Sequence, residues 1–362
     1  MQYFFVGTYS EPILFGTGEV FKGKGEGLYL CSFEDGKIET VNLLSMRNPS
    51  FLCIDEAYGK IYTVNELKEY EGEFGGGVSE VSFDKQGKLT LERSFCTKGT
   101  DPCHIACSPE RDFVSISNFA SGSVSIFRLD KNGRLKEHCE LFTHEGHSVH
   151  PIRQKGPHAH STIFTGKESM FVPDLGTDQL VGYRYKEGKI ESDENITVSL
   201  AAGSGPRFGE FSPDHAHFYL INEIGSSVTH YLWDGTQLMG CDTVSTLPED
   251  CTLNNICSDL HVTPDGKYLY ASNRGHDSIC AFAIGVDGAL TLLDRVSCGG
   301  KTPRNFCIEP NGTYLLVGNQ DSDTIVTFRI EASGKLTFVS ETAFPTPVCM
   351  KFLYGQDDSF AC

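Results

Sequence analysis

A segment of about fifty residues recurs along the whole chain, and this period restricts the possible folds more than any other feature of the sequence. Four copies are clear, and they begin at Asp101, Gly205, Ser258 and Thr302. Weaker copies begin at Pro49, Pro157 and Pro347. A proline, or a cysteine in its place, marks each copy: Pro49, Pro102, Pro157, Pro206, Cys257, Pro303 and Pro347. Successive positions in this column are 44 to 55 residues apart, a spacing that includes propeller blades.

Each copy carries the signals of short β-strands. An apolar run leads to a turn such as S-P-D or P-N-G, and a run rich in Val, Ile, Tyr and Leu follows. Third strands are predicted over 123–129, 278–284 and 324–330, with fourth strands after Gly133, Gly288 and Gly334. Because no helical periodicity of useful length is present, α-solenoids and α/β barrels are disfavoured. The sequence therefore predicts an all-β fold, a seven-bladed β-propeller with four-stranded antiparallel blades.

The two ends of the sequence complement each other. The last copy has only a first strand, over 348–353, whereas 3–9, 27–33 and 38–44 resemble the missing second, third and fourth strands. One blade closed by both termini would leave no open sheet edge in the ring. Two separate β-domains are the alternative, but the period crosses every candidate boundary, so residues 1–362 are expected to form a single propeller domain.

Charge and composition exclude several classes of partner. The chain has 30 basic and 48 acidic residues, a net charge of −18, which disfavours nucleic acid and anionic membrane surfaces as partners. A small anionic ligand is still compatible with this charge if a few arginines are concentrated in one place. No segment approaches the roughly twenty apolar residues of a membrane span. The segment 1–7 lacks a basic region followed by a long apolar one, so a cytoplasmic location is expected.

The repeat register predicts which side chains meet. An Asn or Asp lies sixteen or seventeen residues after the proline: Asn65, Asn118, Asp174, Asn222, Asn273 and Asn319. Antiparallel pairing of the first and second strands places both positions at one end of each blade. The column after the proline reads Ser50, Cys103, His158, Arg207, Ser258, Arg304 and Val348. The column after the Asn reads Glu66, Phe119, Leu175, Glu223, Arg274 and Gln320, with Thr8 for the closing blade.

The charged members of these two columns are expected to converge at one mouth of the channel. A purely structural repeat would tend to repeat its residues, whereas these positions differ between blades that are otherwise similar. The Asn column itself is most simply structural, because Asn and Asp side chains satisfy local backbone groups at strand ends. Any single charge could also be a rim charge or an inter-blade ion pair.

A histidine-rich stretch over 144–161 is the longest departure from the period, and a metal cluster there is the alternative to catalytic histidines. Its H-x2-H-x2-H spacing fits no zinc motif, and none of the 14 cysteines forms a C-x-x-C pair. Reduced, buried thiols are the expected state of the cysteines. Neither a metal nor another cofactor is expected.

Several motifs together resemble a known family. They are RQKGPHAHS over 153–161, DLGTDQL over 174–180, GPRFGEFSPD over 205–214, NEIGSSV over 222–228, PDGKYLYASNRGHDSI over 264–279 and PNGTYLLVGNQDSDTI over 310–325. The chain resembles, over essentially its whole length, the lactonase propeller family. That family includes the propeller type of 6-phosphogluconolactonase and the fungal carboxy-muconate lactonizing enzyme.

The resemblance implies a catalytic set that consists of a histidine of the PHAH motif, the arginine of GPR, the glutamate of NE and the arginine of SNR. These residues are His158 or His160, Arg207, Glu223 and Arg274. Counting forward from Pro157 favours His158, and counting back from Asp174 leaves room for His160. Phe208 stands where the motif more often has histidine, so any role of that residue is lost here.

The expected function is hydrolysis of a small anionic lactone, above all 6-phosphogluconolactone in the oxidative pentose-phosphate pathway. The histidine or Glu223 would act as base and the other as acid, while Arg207 and Arg274 would meet the oxyanion or a substrate anion. Substrate-binding candidates are Arg304, Glu66, Gln320, Asn222, Asn273 and Arg153. The alternatives are a muconate-type lactonizing cycloisomerase, which would use the same arginines, and a non-catalytic propeller that binds a partner on one face.

Overall fold

The repeated strand signals fold into seven sheets arranged as blades in the computed structural model, which describes residues 1–14, 18–166, 168–186 and 188–354. The closing blade contains Pro347–Phe352, Gln2–Thr8, Gly27–Glu34 and Lys37–Ser45. Blade 1 contains Leu52–Asp55, Lys60–Asn65, Gly77–Phe83 and Leu89–Cys96. Blade 2 contains Pro102–Cys107, Phe113–Asn118, Ser123–Leu129 and Leu135–Thr143. Blade 3 contains Ile163–Phe164, Ser169–Asp174, Gln179–Lys186 and Lys189–Ser192, with Val198–Ser199 beside its third strand.

The other three blades are the most regular. Blade 4 contains Pro206–Phe211, His217–Asn222, Ser227–Trp233 and Leu238–Ser245. Blade 5 contains Ile256–Val262, Tyr268–Arg274, Ser278–Ile284 and Leu290–Ser297. Blade 6 contains Pro303–Ile308, Tyr314–Asn319, Thr324–Ile330 and Leu336–Ala343. Two small hairpins lie outside the blades, Pro12–Leu14 with Val20–Lys22 and Glu69–Tyr70 with Glu73–Phe74. The all-β, seven-bladed propeller is therefore confirmed, including the third strands predicted from the repeat.

The closing blade forms as the complementary chain ends predict. Phe4 pairs with Phe352 and Val6 with Met350, so the last strand hydrogen-bonds to the first. The same last strand contacts the innermost strands of blades 6 and 1. This pairing joins the two ends of the ring and protects the sheet edges that an open array would expose.

The hydrophobic core lies between adjacent blades. Each of the seven blade interfaces has its own apolar cluster, which alternate residues of facing strands supply. Between blades 1 and 2, for example, Tyr62 and Val64 pack against Ile105 and Phe127, all of them buried. A buried phenylalanine such as Phe127 contributes about 3–5 kcal/mol to stability relative to alanine.

No helix in the described ranges has the length and apolar character that a membrane crossing requires.

The first and second strands pair at the predicted end of each blade, but the Asn faces the proline position itself and not the residue after it. Pro102 pairs with Asn118, Pro206 with Asn222, Cys257 with Asn273 and Pro303 with Asn319. Directly after each of these pairs the register shifts, because at least one extra residue is inserted in the first strand. A β-bulge of this kind changes the direction of the inserted side chain. The residue after the proline is thereby placed at one mouth of the channel.

The bulge corrects two positions in the predicted columns. In the closing blade Thr8 pairs with Pro347, so Thr8 occupies the Asn position and Tyr9 follows it. Thr8 is therefore wrong for the column after the Asn. In blade 3 Ala159 pairs with Asp174, which places His160 in the bulge position that Arg207 has in blade 4. Blade 3 has one residue more than the other blades between the proline and the Asp, and this residue lies before the pair of Ala159 with Asp174. The count backward from Asp174, which gives His160, is therefore correct.

Candidate active site

A pocket of about 310 Å³ opens at the channel mouth where the two columns meet. Seven of the residues predicted from the sequence line it: Glu66, Arg153, His160, Glu223, Arg274, Arg304 and Gln320. They come from five different blades and from the long segment that precedes blade 3. Side chains that are far apart in the sequence are brought together because every blade presents its bulge and the end of its second strand to the same mouth.

Glu223 is the centre of an arginine cluster on one side of the pocket. Its Oε2 accepts hydrogen bonds from Arg207 Nε at 3.0 Å and from Arg274 Nη2 at 2.7 Å, and its Oε1 accepts one from Arg153 Nη2. Gly275 directly after Arg274 has a φ of 110°, a conformation that lets the chain turn away at the rim. Three guanidinium groups thus meet one carboxylate that is only 1% exposed.

The cluster holds more positive charge than its carboxylate neutralises. Burial tends to raise the pKa of Glu223, but the charges of Arg153, Arg274 and Arg207 outweigh it and hold this pKa well below the usual range. Burial and the neighbouring arginines, against the opposing charge of Glu223, lower the pKa of Arg274 to about 9. Arg274 Nε is also buried without a hydrogen-bond partner among the described residues. A site of this charge favours an anionic ligand.

Arg207 lies under the pocket rather than in its wall. It lines a small void beneath the floor together with His160, Cys103 and Arg304, and one Nη1 hydrogen bond goes to the carbonyl oxygen of Ser258. The sequence predicts that Arg207 contacts a ligand directly, but Arg207 does not line the pocket, so that contact remains a prediction. The side chain instead holds Glu223 from below, because the bulge points it toward the channel axis.

The two candidate histidines have different environments. His160 is 8% exposed and lies at the pocket floor, with its Nδ1 3.8 Å from the Sγ of Cys103. Burial and the charge of Arg207 lower the pKa of His160 well below its ordinary value, so its imidazole is neutral. His158 lies outside the pocket lining; it stacks on the Phe119 ring at 4.5 Å, and its Nδ1 donates a hydrogen bond to the Phe119 carbonyl oxygen at 2.8 Å. The structure thus places His160, and not His158, against the pocket.

A second buried carboxylate, Glu66, lies in a different environment. Its Oε2 accepts a hydrogen bond from the hydroxyl of Tyr9 at 2.9 Å, and its Oε1 is 3.9 Å from Arg304 Nη2. The Arg304 guanidinium also covers the Tyr9 ring, 5.3 Å from its centroid. Burial raises the pKa of Glu66 despite the opposing charge of Arg304. Glu66 therefore binds a proton more readily than an exposed glutamate.

The remaining predicted ligands divide into one that lines the pocket and two that do not. Gln320 lines it, and its buried Oε1 has no hydrogen-bond partner in the described part of the chain. The amide of Asn222 donates to Ser227 and Thr229, and the amide of Asn273 donates to Ser278. Asn222 and Asn273 do not line the pocket, so the structure gives no support to their expected role in substrate binding. They tie the second strand to the third within their blades.

Sequence reasoning missed Tyr9 and an apolar wall of the pocket. Ile13, Leu14 and Phe21 line the pocket from the hairpin that follows Tyr9. The insertion between 8 and 27 was a signal for this hairpin, because the other blades join their second and third strands by shorter turns. Counting the closing blade from Pro347 with one bulged residue would have identified Tyr9.

The histidine-rich stretch positions the pocket instead of gathering into a metal centre. His144 Nδ1 lies 2.6 Å from Asp174 and its Nε2 lies 2.8 Å from the hydroxyl of Tyr183, so this ring is fixed inside blade 3. His150 Nδ1 accepts the backbone N–H of Arg153 at 3.1 Å. Within the described ranges no group of three or more His, Cys, Asp or Glu is arranged to hold a metal ion. Metal independence remains a prediction.

Comparison with known proteins agrees with this architecture. Residues 3–352 match the family described as "Lactonase, 7-bladed beta-propeller". A 6-phosphogluconolactonase of Bacillus subtilis is 32% identical over 348 residues, 93% of this chain and 97% of that protein. A 6-phosphogluconolactonase of Formosa agariphila is 31% identical over 80% of this chain and 84% of its own length.

A solved structure of a periplasmic gluconolactonase from Pseudomonas aeruginosa superimposes with a TM-score of 0.89. It is 27% identical and the match covers 97% of this chain and 99% of that one. The family match, the relatives and the fold all agree with the resemblance seen in the sequence motifs. The chain belongs to the lactonase family of seven-bladed β-propellers.

Proposed function

We propose that this protein hydrolyses the ester bond of an anionic sugar-acid lactone, with 6-phosphogluconolactone as the first candidate substrate. One observation carries the proposal: the guanidinium groups of Arg153, Arg207 and Arg274 converge on the single buried carboxylate of Glu223 beside a pocket of about 310 Å³. A phosphate or carboxylate on the substrate would neutralise the surplus charge. The two relatives named 6-phosphogluconolactonase support the choice of substrate.

The arginines fit the charge that develops during ester hydrolysis. Attack of water on the lactone carbonyl creates an oxyanion, and preorganised donors in a partly dry site stabilise it. Arg274 offers a buried Nε–H to this oxygen, while Arg153 and Arg304 face the same pocket and can hold a remote anionic group. Glu223 fixes the directions of Arg153 and Arg274, so it is a positioning residue. The neutral ring of His160 can donate an N–H to the reacting oxygen.

A cytoplasmic location and a single-domain organisation complete the proposal. The 13 cysteines in the described part of the chain are all free, a state typical of a reducing compartment. The solved gluconolactonase of Pseudomonas aeruginosa is periplasmic, so cell fractionation with an antibody to the chain is the direct test of location. Limited proteolysis that leaves the ring intact until global unfolding would support one domain.

A panel of lactones tests the activity. Proton release at constant pH compares 6-phosphogluconolactone, unphosphorylated gluconolactone and a muconolactone, with the buffer rate subtracted because such lactones also hydrolyse without enzyme. We expect kcat/KM to be at least about tenfold higher for the phosphorylated sugar lactone, equivalent to about 1.4 kcal/mol. Arg329→Ala is the control for variants of the pocket arginines, since Arg329 is exposed and pairs with Glu331 on the outer side of blade 6.

The other outcomes decide between the alternatives. Conversion of a muconate to its lactone with no sugar-lactone hydrolysis would indicate a lactonizing cycloisomerase. Tight binding of an anion with no turnover of any lactone would indicate a non-catalytic binding propeller.

A further inference from the structure

We propose that Glu66, held by Tyr9, is the proton-transfer residue of the site, an inference that rests on the proposed lactone hydrolysis. Glu66 directly follows the second strand of blade 1, the position that Glu223 occupies in blade 4. It is 5% exposed, and it lines the same pocket as Glu223 and His160. Neither the motif resemblance nor the arginine cluster assigns it a chemical role.

The two carboxylate oxygens of Glu66, which lines the pocket, have different neighbours. Oε2 accepts a hydrogen bond from the hydroxyl of Tyr9, and Oε1 lies 3.9 Å from Arg304 Nη2. Tyr9 is fully buried under the apolar hairpin, where it packs with Ile13 and Val348. The carboxylate is thus held in one orientation by an uncharged donor. This is the arrangement that a base needs if its second oxygen is to meet a water molecule.

The groups facing Glu66 leave its proton affinity above that of Glu223. The titratable or charged neighbours on the elements packed around it are Tyr9, Asp101, Cys103 and Arg304. Burial and, less strongly, the charge of Asp101 raise the pKa of Glu66, while Arg304 and the hydroxyls of Ser50 and Tyr9 together lower it by a smaller amount. The pKa values of Glu223 and His160 are both held low. Of the two buried glutamates, Glu66 is the better acceptor for a water proton, because proton transfer is most efficient when the pKa of the base lies near the working pH.

Glu66 alone can accept the proton from water and later return it to the leaving ring oxygen. As the water oxygen bonds to the lactone carbonyl carbon, a water proton moves to Glu66 Oε1 and the carbonyl electron pair moves to the oxyanion. When the oxyanion electrons return, the bond between the carbonyl carbon and the ring oxygen breaks. The ring oxygen takes the proton from Glu66, which returns to its carboxylate form. The product carboxylic acid then ionises to solvent.

The test compares Glu66→Gln with Glu69→Gln, a matched control at an exposed position three residues later and outside the pocket lining. We expect Glu66→Gln to lower kcat by about 10²–10⁴-fold with little change in KM. It should also abolish the fall of kcat/KM on the acid side of the pH profile. Glu66→Asp keeps a titratable group, so it should keep that acid-side fall at a reduced rate, which separates loss of the proton carrier from a packing defect.

A second variant provides a readout that a structural role would not give. Tyr9→Phe removes the hydrogen bond that stabilises the ionised carboxylate, so the pKa of Glu66 should rise further. The acid-side midpoint of kcat/KM should move to higher pH by the same amount as the Glu66 carboxyl titration followed by ¹³C NMR.

The outcomes distinguish this inference from the proposed function. If the wild-type protein hydrolyses lactones while Glu66→Gln keeps kcat within twofold and retains the acid-side fall, the role of Glu66 is wrong and the proposed function stands. If the wild-type protein hydrolyses none of the lactones, the proposed function is wrong, and the role of Glu66 fails with it.

Discussion

Glu66 and Glu223 occupy the same structural position in blades 1 and 4, yet their environments are opposite. Both directly follow the second strand, both are almost fully buried and both line one pocket. Three guanidiniums hold the pKa of Glu223 low against the effect of burial. Glu66 has a tyrosine hydroxyl and one more distant arginine, and burial raises its pKa.

The comparison shows how a symmetric frame supports an asymmetric site. The repeat fixes where a side chain points, because the register of each blade is the same. The neighbouring blades fix what that side chain can do, because they supply its charges. The side around Glu223 is suited to holding an anion, and the side around Glu66 is suited to moving a proton.

Removal of the Glu223 charge should have the largest effect on stability. Glu223→Gln leaves Arg153, Arg207 and Arg274 without a carboxylate, and breaking a buried ion-pair cluster in this way costs about 3–5 kcal/mol. Urea unfolding should show this loss, and sulfate should restore much of it by occupying the cluster. Glu66→Gln should lower the free energy of unfolding much less, and sulfate should not restore that loss. Equal losses in the two variants would contradict the proposed division of the pocket.

The pH dependence of that loss has a defined sign. The folded-state pKa of Glu223 is lowered from an ordinary value of 4.5, so its contribution is complete above about 4.5. The contribution is lost as the pH falls through the folded-state pKa. The difference in stability between the wild type and Glu223→Gln should therefore be constant near neutral pH and shrink in acid. A difference that grows in acid would mean that Glu223 is protonated in the folded protein.

Replacement of Arg274 should have the next largest effect, on catalysis. Arg274→Ala should lower kcat about 10²–10³-fold if its Nε–H meets the oxyanion, a loss of about 2.7–4 kcal/mol. Arg274→Lys should not restore the rate, since a point charge lacks the planar fork that holds Glu223 and the oxyanion together. An increase in KM with unchanged kcat would instead assign Arg274 to a remote anionic group of the substrate.

Replacement of the two histidines should change kcat by less than replacement of Arg274 does. His160→Ala removes a donor to a charged oxygen and should lower kcat by about 10- to 100-fold. His158→Ala removes a stacking contact on Phe119, which contributes about 0.5–1.5 kcal/mol, and should change stability more than rate. A larger loss of kcat in His158→Ala than in His160→Ala would show that His158, and not His160, acts in the reaction.

Chelation should have no measurable effect. In the proposed mechanism the pocket arginines stabilise the developing charge and Glu66 transfers the proton, so this mechanism needs no metal ion. Lactonase activity should survive prolonged treatment with EDTA, and elemental analysis should find no stoichiometric metal. Loss of activity that zinc, manganese or calcium restores would refute this prediction.

The sequence by itself determined the blade number, the strand positions and the mouth at which the site forms. These features depend on local periodicity, turn residues and a register that repeats within each copy. Pro206 and Asn222 are sixteen residues apart, and hairpin geometry alone brings them together. Glu223 and Arg274 could be placed at the correct mouth for the same reason.

Only the tertiary structure decided which of these residues share a contact and what charge each carries. Tyr9 meets Glu66 and Arg153 meets Glu223 across separations of 57 and 70 residues, which no local pattern encodes. The pKa of a buried carboxylate depends on the charges within a few ångströms, whichever blade supplies them. The repeat period therefore reveals where the two glutamates lie, but their opposite roles arise from contacts between blades.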